Sequence, residues 1–401
     1  MKPHALIIVE NLPVPRDYRV WLFATTLVEA GYAVSVISPA DQKNPPGVFK
    51  KDGVLILRHK IKEAKSWLFY PYEYLTALLK ERALARRLYQ KKPFQIIHLC
   101  NPPDFLWINA RTYQKRGVKI IFDHHDLSPE LILAKKNVTL REKLSFPFRL
   151  LYDFLLKLEK TAQEKADLVF ATNATYREKA LERDATPAEK IYVVRSGIRE
   201  KDLMKSLPEP LAFSTRPTLD LAYVGVMARQ DGVDLLLKAI ASLKKMTEKK
   251  IRLTLMGDGP EFENLKALAH TLNLEEETNF LGFVSREEIF RRLKSGVIGI
   301  TPDPKTPMNE ASTMLKTLDY LAAGAPQVMF ALKEHKNTCG EAALYVTPND
   351  PQALAEGILK IASDDALFES LRKKGLERVA ELAWEKDGKP QLLKAYSKLK
   401  A

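Results

Sequence analysis

The sequence predicts an α/β protein made of two doubly wound domains. Three observations carry that expectation. Short apolar, β-rich runs alternate with helix-period segments from end to end, the pattern of parallel sheets covered by helices. The alternation lapses once, around residues 199–217, and then restarts. At 401 residues the chain is too long for one ordinary domain and suits two of roughly 200.

The elements follow in order. Ala5-Leu6-Ile7-Ile8-Val9 is a buried-strand run. Arg19 to Ala30 then puts Val20, Phe23, Ala24 and Leu27 on one helical face, and Gly31 stands where a helix end favours glycine. Ala33 to Ser38 reads as the next strand. Ile96 to Leu99, Lys119 to Phe122, Asp167 to Ala171 and Ile191 to Val194 continue the series. The lapse, KDLMKSLPEPLAFSTRP, carries three prolines and mixed polarity, as a connection does. Strand runs resume at Leu219 to Val224, Ile251 to Met256, Thr278 to Leu281, Val297 to Ile300 and Gln327 to Ala331. From Asp350 to Ala401 the pattern is helical without a strand. The expected organisation is a first domain over 1–200, a linker over 201–217, a second domain over 218–375, and a helical segment over 376–401 packing back on the first domain. Two such domains facing each other would bring the carboxyl ends of both sheets to one cleft, where ligands bind in sheets of this kind.

Composition narrows the class. Hydrophobic residues at 46% and charged residues at 28% are ordinary for a globular chain, which excludes wholesale disorder and collagen-like repeats. With only Cys100 and Cys339, neither a disulfide framework nor a four-cysteine zinc site is available. The opening MKPHALIIVENLP lacks the form of a secretory signal, and no stretch approaches the ~18 apolar residues of a membrane span. The expectation is a soluble protein of a reducing compartment. A net charge of +13 points to an anionic partner. No nucleic-acid-binding module pattern occurs, so nucleic acid is not expected.

The most informative stretch is TPDPKTPMNEASTMLKTLDYLAAGAP, residues 301–326. Ser312-Thr313 precede a helix opening at about Met314, and N–H groups at a helix start bind phosphate. Lys316 would add a full charge to the same phosphate. Asp319 lies three residues on, along the same helical face, in reach of a ribose diol. Gly324 and Pro326 end the helix. The competing reading is a capped helix whose Lys and Asp are merely solvated.

Further segments tip the balance. Ser312-Thr313-Met314, Lys316 and Leu318 to Gly324 with Pro326 resemble the donor-nucleotide segment of family-4 retaining glycosyltransferases. Those enzymes have the GT-B fold, with two Rossmann-like domains. Tyr223-Val224-Gly225 with Gly232-Val233-Asp234 is similar to the family's first strand and loop of the second domain. Leu255-Met256-Gly257-Asp258-Gly259-Pro260 resembles its strand-to-helix turn, and Phe280 to Val284 its base-binding turn. Phe122-Asp123-His124-His125-Asp126-Leu127-Ser128-Pro129-Glu130 resembles the first-domain segment of the branch that builds bacterial surface polysaccharides. Pro15 to Val20 and Val193 to Gly197 also fit, so the resemblance covers nearly the whole chain.

The resemblance implies roles. Lys316 would contact the donor pyrophosphate and Asp319 the ribose. Ser312, Thr313 and Met314 would offer backbone N–H groups to the phosphates beside Gly225 and Gly257. Phe283 and Val284 would frame the base, and His125 would stand over the donor sugar. It also implies a nucleotide-sugar donor, most often UDP-linked, a glycan or lipid-linked acceptor, no cofactor and no metal. In the family the departing phosphate is thought to help take the acceptor proton, so no enzyme base is named.

Three departures stand out. The loop from Gly225 to Gly232 has the family's spacing, but Val226 and Asp231 occupy its two cationic positions, with Arg229 nearby as a substitute. The family's second acid would fall on Ala311, so Glu310, one residue earlier, is the candidate for the sugar hydroxyls. Asn11-Leu12-Pro13-Val14-Pro15 replaces a glycine pair, leaving Arg16 and Arg19 as compensating charges. The adjacent His124 and His125 suggest a metal site, a structural histidine or a sugar contact; metal spacing of acids and cysteines is missing. Gly257-Asp258-Gly259-Pro260 lacks the third glycine of a dinucleotide fingerprint.

Two basic, aromatic segments, 65–87 and 140–160, read either as solvated helix faces or as surfaces for an anionic membrane. The reading is a retaining GT-B hexosyltransferase of cell-surface polysaccharide synthesis, cytoplasmic and peripheral at the membrane. The rivals are a GT-B sugar-nucleotide epimerase and a non-catalytic nucleotide-sugar-binding subunit.

Overall fold

The structure, a computed structural model, describes residues 2–61, 70–136, 138–183, 186–204 and 212–399. Residues 65–69 of the first aromatic segment and 205–211 of the expected linker therefore lie outside the described residues. The chain divides into two compact units. One runs to Ile132, takes in Arg141–Ser196 and closes with the segment from Asp387; the other is Gly197–Lys386 with Leu133–Leu140.

The first unit opens with β1 (His4–Val9), α1 (Tyr18–Glu29), β2 (Ala33–Pro39), β3 (Gly47–Lys51) and β4 (Val54–His59). It continues with α2 (Tyr70–Lys91), β5 (Ile96–Cys100), α3 (Trp107–Gln114), β6 (Lys119–His124) and α4 (Ser128–Lys135). It goes on through α5 (Phe146–Lys165), β7 (Leu168–Ala171), α6 (Ala174–Glu182) and β8 (Ile191–Val193). These strands form one eight-stranded sheet in the order β3-β4-β2-β1-β5-β6-β7-β8. All pairings are parallel except β3 with β4. Strands β1 and β5 are buried along their whole length, which is why they read as apolar runs, broken only by His4 at the start of β1 and His98 in the middle of β5. Asp17 caps α1, its carboxylate accepting from the Val20 N–H at 2.9 Å.

Right-handed crossovers assign the helices to faces. The chain steps in one direction along the sheet from β4 to β5, β6 and β7, so α2, α3 and α5 share a face; the step from β1 to β2 runs the other way and sends α1 to the opposite one.

The second unit contains β9 (Thr218–Val224), α7 (Val233–Leu243), β10 (Lys250–Met256), α8 (Phe262–Thr271), β11 (Thr278–Gly282) and α9 (Arg286–Leu293). Then come β12 (Ile298–Thr301), α10 (Pro307–Ala311), α11 (Leu315–Ala322), β13 (Gln327–Phe330), α12 (Lys333–Cys339) and β14 (Leu344–Val346). Helices α13 (Pro351–Ala362) and α14 (Asp365–Glu381) complete it, and α15 (Gly388–Lys398) belongs to the first unit. Its sheet is six parallel strands in the order β11-β10-β9-β12-β13-β14. The core combines β9, β10 and β12 with α7 and α13, through residues such as Leu221, Leu236, Leu253, Ile300 and Ile358. Helix α14 packs on α11 and stays with the second unit, so the returning segment starts at Asp387, later than residue 376. In the first unit α15 packs on α1 and β8. No helix among the described residues is long and apolar enough to cross a membrane.

Candidate functional site

In a parallel sheet the strands' carboxyl ends collect on one edge, and the second unit's candidate residues lie there. Gly225 follows β9 and Gly257 follows β10. The Gly225 N–H donates to the Met256 carbonyl at 3.0 Å, and the Gly257 N–H donates to the Gly282 carbonyl at 2.9 Å. Gly257 has φ +144°, and a Cβ there would stand 1.8 Å from the Gly225 carbonyl oxygen, so the two turns approach as closely as backbone allows. A Cβ on Gly225 would meet the Lys316 side chain at 3.2 Å, which puts the lysine against this turn.

Lys316 sits in the first turn of α11, but not in solvent. Its Nζ donates to both carboxylate oxygens of Asp303, at 2.8 and 2.9 Å, and lies 5.0 Å over the Tyr223 ring. Asp303, in the loop after β12, is 0% exposed. Asp231 adds a second acid, 4.0 Å from the Lys316 Nζ. Burial pushes its carboxyl up to about 6, against the downward pull of Lys316. The solvated reading of Lys316 is thus corrected: its charge is held by acids that sequence spacing did not reveal.

Asp319 is also engaged, pairing with the Arg286 guanidinium at 2.9 Å. Burial raises its carboxyl to about 6 while Arg286 pulls it down. Met314 caps α11 by backbone position, without a side-chain hydrogen bond. Ser312 and Thr313 do not cap it. The Ser312 hydroxyl donates to the Met308 carbonyl at 2.8 Å, and the Thr313 hydroxyl donates to Glu334 Oε1 at 2.9 Å. The Ser312 N–H closes α10 on the Asn309 carbonyl at 3.3 Å. Glu310 lies on α10, accepts from the Lys333 N–H at 3.3 Å and is 3.8 Å from Lys305. Arg229, its side chain 80% exposed, reaches only Glu261, at 3.7 Å. Phe283 is exposed, and Val284 packs beside the Tyr320 cluster.

The first unit holds a different constellation, centred on Asp123 at the end of β6. Arg19 reaches it from α1 through Nε at 3.0 Å and Nη2 at 2.7 Å. The Arg19 Nη1 donates to the Val194 carbonyl at 2.6 Å and to Ser196 Oγ at 3.0 Å. Arg19 is therefore an interior strut rather than a surface charge, whereas Arg16 is half exposed and pairs with Asp41 at 3.2 Å. His125 Nε2 lies 2.7 Å from Asp123 Oδ2, and its backbone N–H donates to Asn101 Oδ1 at 2.5 Å. Burial would raise the Asp123 carboxyl, but Arg19 and His125 hold it well below the usual range.

His124 points elsewhere, fully buried, 3.3 Å from Glu159 and against the Tyr176 ring. Burial lowers it to about 4, which makes it a neutral structural histidine. The donor atoms of His98, Cys100 and Asp123 lie within 4.8 Å of one another, the only such grouping of three among the described residues. Both Asp123 oxygens already face the Arg19 guanidinium, so a cation there would meet a like charge.

Two Rossmann-like units of this construction define the GT-B class of protein. The chain belongs to the glycosyltransferases: the profile "Glycosyltransferase Family 4" matches residues 18–201, and "Glycosyl transferases group 1" matches residues 218–364. An uncharacterized glycosyltransferase of Methanocaldococcus jannaschii is 25% identical over 193 residues, 45% of this chain and 46% of that one. The O-antigen chain mannosyltransferase B of Escherichia coli is 24% identical over 236 residues, 57% of this chain and 61% of that one. The matches thus span about half of these curated relatives. Sucrose-phosphate synthase from Thermosynechococcus elongatus superimposes with a TM-score of 0.77 at 22% identity, over 100% of this chain and 99% of that one. Anabaena HepE in complex with UDP-glucose does so with a TM-score of 0.67 at 14% identity, over 99% of each chain. These likenesses establish the fold.

Proposed function

We propose that the chain is a retaining glycosyltransferase that moves a sugar from a nucleotide-diphosphate donor, UDP-linked, to a glycan or lipid-linked hydroxyl in cell-surface polysaccharide synthesis. The observation that carries the reading is the grouping of Lys316, Gly225 and the start of α11 at one sheet edge, with Asp319 one turn further along the helix. An ammonium has three N–H donors, and Lys316 gives two to Asp303. The third remains for a phosphate oxygen, while Asp303 fixes the side chain in place. Charge developing on the leaving diphosphate meets that ammonium and the positive end of α11. Asp319, held by Arg286, is the ribose-binding acid, and His125 is the first unit's candidate for the sugar. The UDP-glucose bound to HepE and the mannosyltransferase relative support a nucleotide-sugar donor and a surface glycan.

Asp231 beside Lys316 favours one alternative, a subunit that binds donor without turning it over. A thermal-shift screen of UDP, GDP and ADP sugars, followed by donor-turnover assays with and without chelator, tests the reading. Stabilisation by a UDP sugar, with transfer that survives chelation, is the expected result. Binding without turnover makes the chain a partner subunit, release of a free epimer makes it an epimerase, and Mn²⁺-dependent activity refutes the metal-free mechanism.

The acceptor is proposed to lie at an anionic membrane surface. Helix α5 exposes Phe146, Leu150 and Phe154 at four-residue spacing, and α2 exposes Tyr72, Leu75 and Leu79. The two helices share a face of the first sheet, with exposed Lys143, Lys157 and Lys160 alongside the α5 stripe.

A further inference from the structure

A polar chain runs from the returning helix to His125. The Tyr396 hydroxyl, on α15, is 2.9 Å from His98 Nδ1. His98 Nε2 lies 3.2 Å from Asp123 Oδ2, the oxygen that also faces His125 Nε2 at 2.7 Å. His98, Asp123 and Tyr396 are all 0% exposed. The His98 ring is enclosed by Phe23, Phe170 and Tyr396, with centroids 5.7, 5.3 and 6.1 Å away.

Donor and acceptor logic fixes the protons. An ionised carboxylate only accepts, so each nitrogen facing Asp123 must carry hydrogen. His98 then has Nε2–H, which leaves Nδ1 as an acceptor, and the Tyr396 O–H is the donor that satisfies it. His125 likewise has Nε2–H towards Asp123, leaving Nδ1 as the ring nitrogen for a ligand. The other titratable groups acting on this cluster are Arg19 from α1, the α1-capping Asp17, Cys100 from β5, and Tyr32, whose ring lies 5.5 Å from that of Tyr396.

We propose that Tyr396 and His98 are positioning residues for His125: Asp123 sets the Nε2–H tautomer of His98, the Tyr396 hydroxyl satisfies the Nδ1 lone pair that this leaves and so holds the ring, and His98 thereby shares the Asp123 carboxylate with His125. The inference rests on the reading of His125 as a sugar-contacting group. Its consequence is that the returning helix, through one hydroxyl, helps hold the His98 ring against Asp123 beside His125. Without that hydroxyl, the buried Nδ1 lone pair of His98 has no donor. The ring then turns to find another donor, and Asp123 Oδ2 loses the His98 N–H and is left to His125 and Arg19.

The test compares wild type with Tyr396→Phe, an isosteric change that keeps the ring packing. With ¹⁵N-histidine labelling, the ring-nitrogen shifts report tautomer and titration, and His125→Asn and His98→Gln variants assign the two residues. In the wild type both His98 and neutral His125 should show the Nε2–H form. In Tyr396→Phe the His98 ring-nitrogen shifts should depart from the wild-type pattern, and those of His125 should move with them. A wild-type His125 with Nδ1–H, or ring-nitrogen shifts of His98 and His125 that stay unchanged in Tyr396→Phe, overturns the proposal, since a merely packing tyrosine would not move them. Turnover of His125→Ala is measured separately. If it matches wild type while the ring-nitrogen shifts move as expected, the polar chain stands and the functional reading of His125 fails.

Discussion

Lys316, paired with buried Asp303 and proposed to meet the donor phosphate, offers a direct test of the second unit's site. Lys316→Met removes the countercharge that lies 2.8 and 2.9 Å from the Asp303 oxygens, leaving a carboxylate that is 0% exposed. Breaking a buried pair from one side costs about 3–5 kcal/mol, whereas replacing both partners by apolar groups is often close to neutral. Lys316→Met should therefore lower the unfolding free energy by about 3–5 kcal/mol, and Lys316→Met combined with Asp303→Leu should restore most of it. Nucleotide binding should behave differently. Both proteins lack the third ammonium N–H, so both should bind a UDP sugar roughly 10- to 150-fold more weakly, the scale of one charged hydrogen bond. Urea unfolding followed by circular dichroism and calorimetric titration with the donor supply the two readouts. A single variant as stable as wild type would refute the buried pair. A folded double variant with unaltered donor affinity would refute Lys316 as the phosphate group.

Asp319 gives a pH dependence with a defined sign. Its folded-state value of about 6 lies above the ordinary aspartate value, so between roughly pH 4 and 6 the folded protein holds a proton that the unfolded chain has lost. Stability should fall as pH rises through that window, by about 3 kcal/mol for a shift of some two units, and Asp319→Asn should flatten this part of the profile; an unchanged slope, from urea midpoints at several pH values, would count against it. The membrane reading is tested by flotation with anionic and neutral vesicles. Arg141 is already paired with Asp153, and Arg149 donates to the Glu142 and Leu144 carbonyls, so the charges to reverse are Lys143, Lys157 and Lys160. Changing these three to Glu should abolish salt-sensitive binding to anionic vesicles, at about 1 kcal/mol per residue, and a wild-type protein that stays unbound at low salt rules the surface out.

What the sequence disclosed follows a physical division between local and distant causes. Parallel strands buried on both faces are mostly apolar, so β1, β5 and β9 announced themselves despite His4, His98 and Asp220. The β3–β4 hairpin did not, because all five residues of β3 are exposed and its GVFKK sequence has no buried face to mark. The turn residues Asp52 and Gly53, both with positive φ, were the available signal. The three-residue β14 is too short to show any period. The site divides in the same way. Helical periodicity put Lys316 and Asp319 on one face, since that depends only on spacing along α11. Their partners come from other segments: Asp303 from the loop after β12, Arg286 from the start of α9. His98 and Tyr396 are 298 residues apart in sequence, and only the return of α15 to the first unit joins them. Period reveals which way a side chain faces, not what will stand opposite it. Asp231 makes the point most sharply. As a letter it is a cation missing from a familiar loop; folded, it is a second acid beside Lys316, so the ammonium is more than neutralised before any ligand arrives. On the proposed function, a diphosphate approaching this edge would draw its attraction from the third ammonium N–H and the backbone of α11 rather than from net positive charge, so that geometry at Lys316 would set donor affinity.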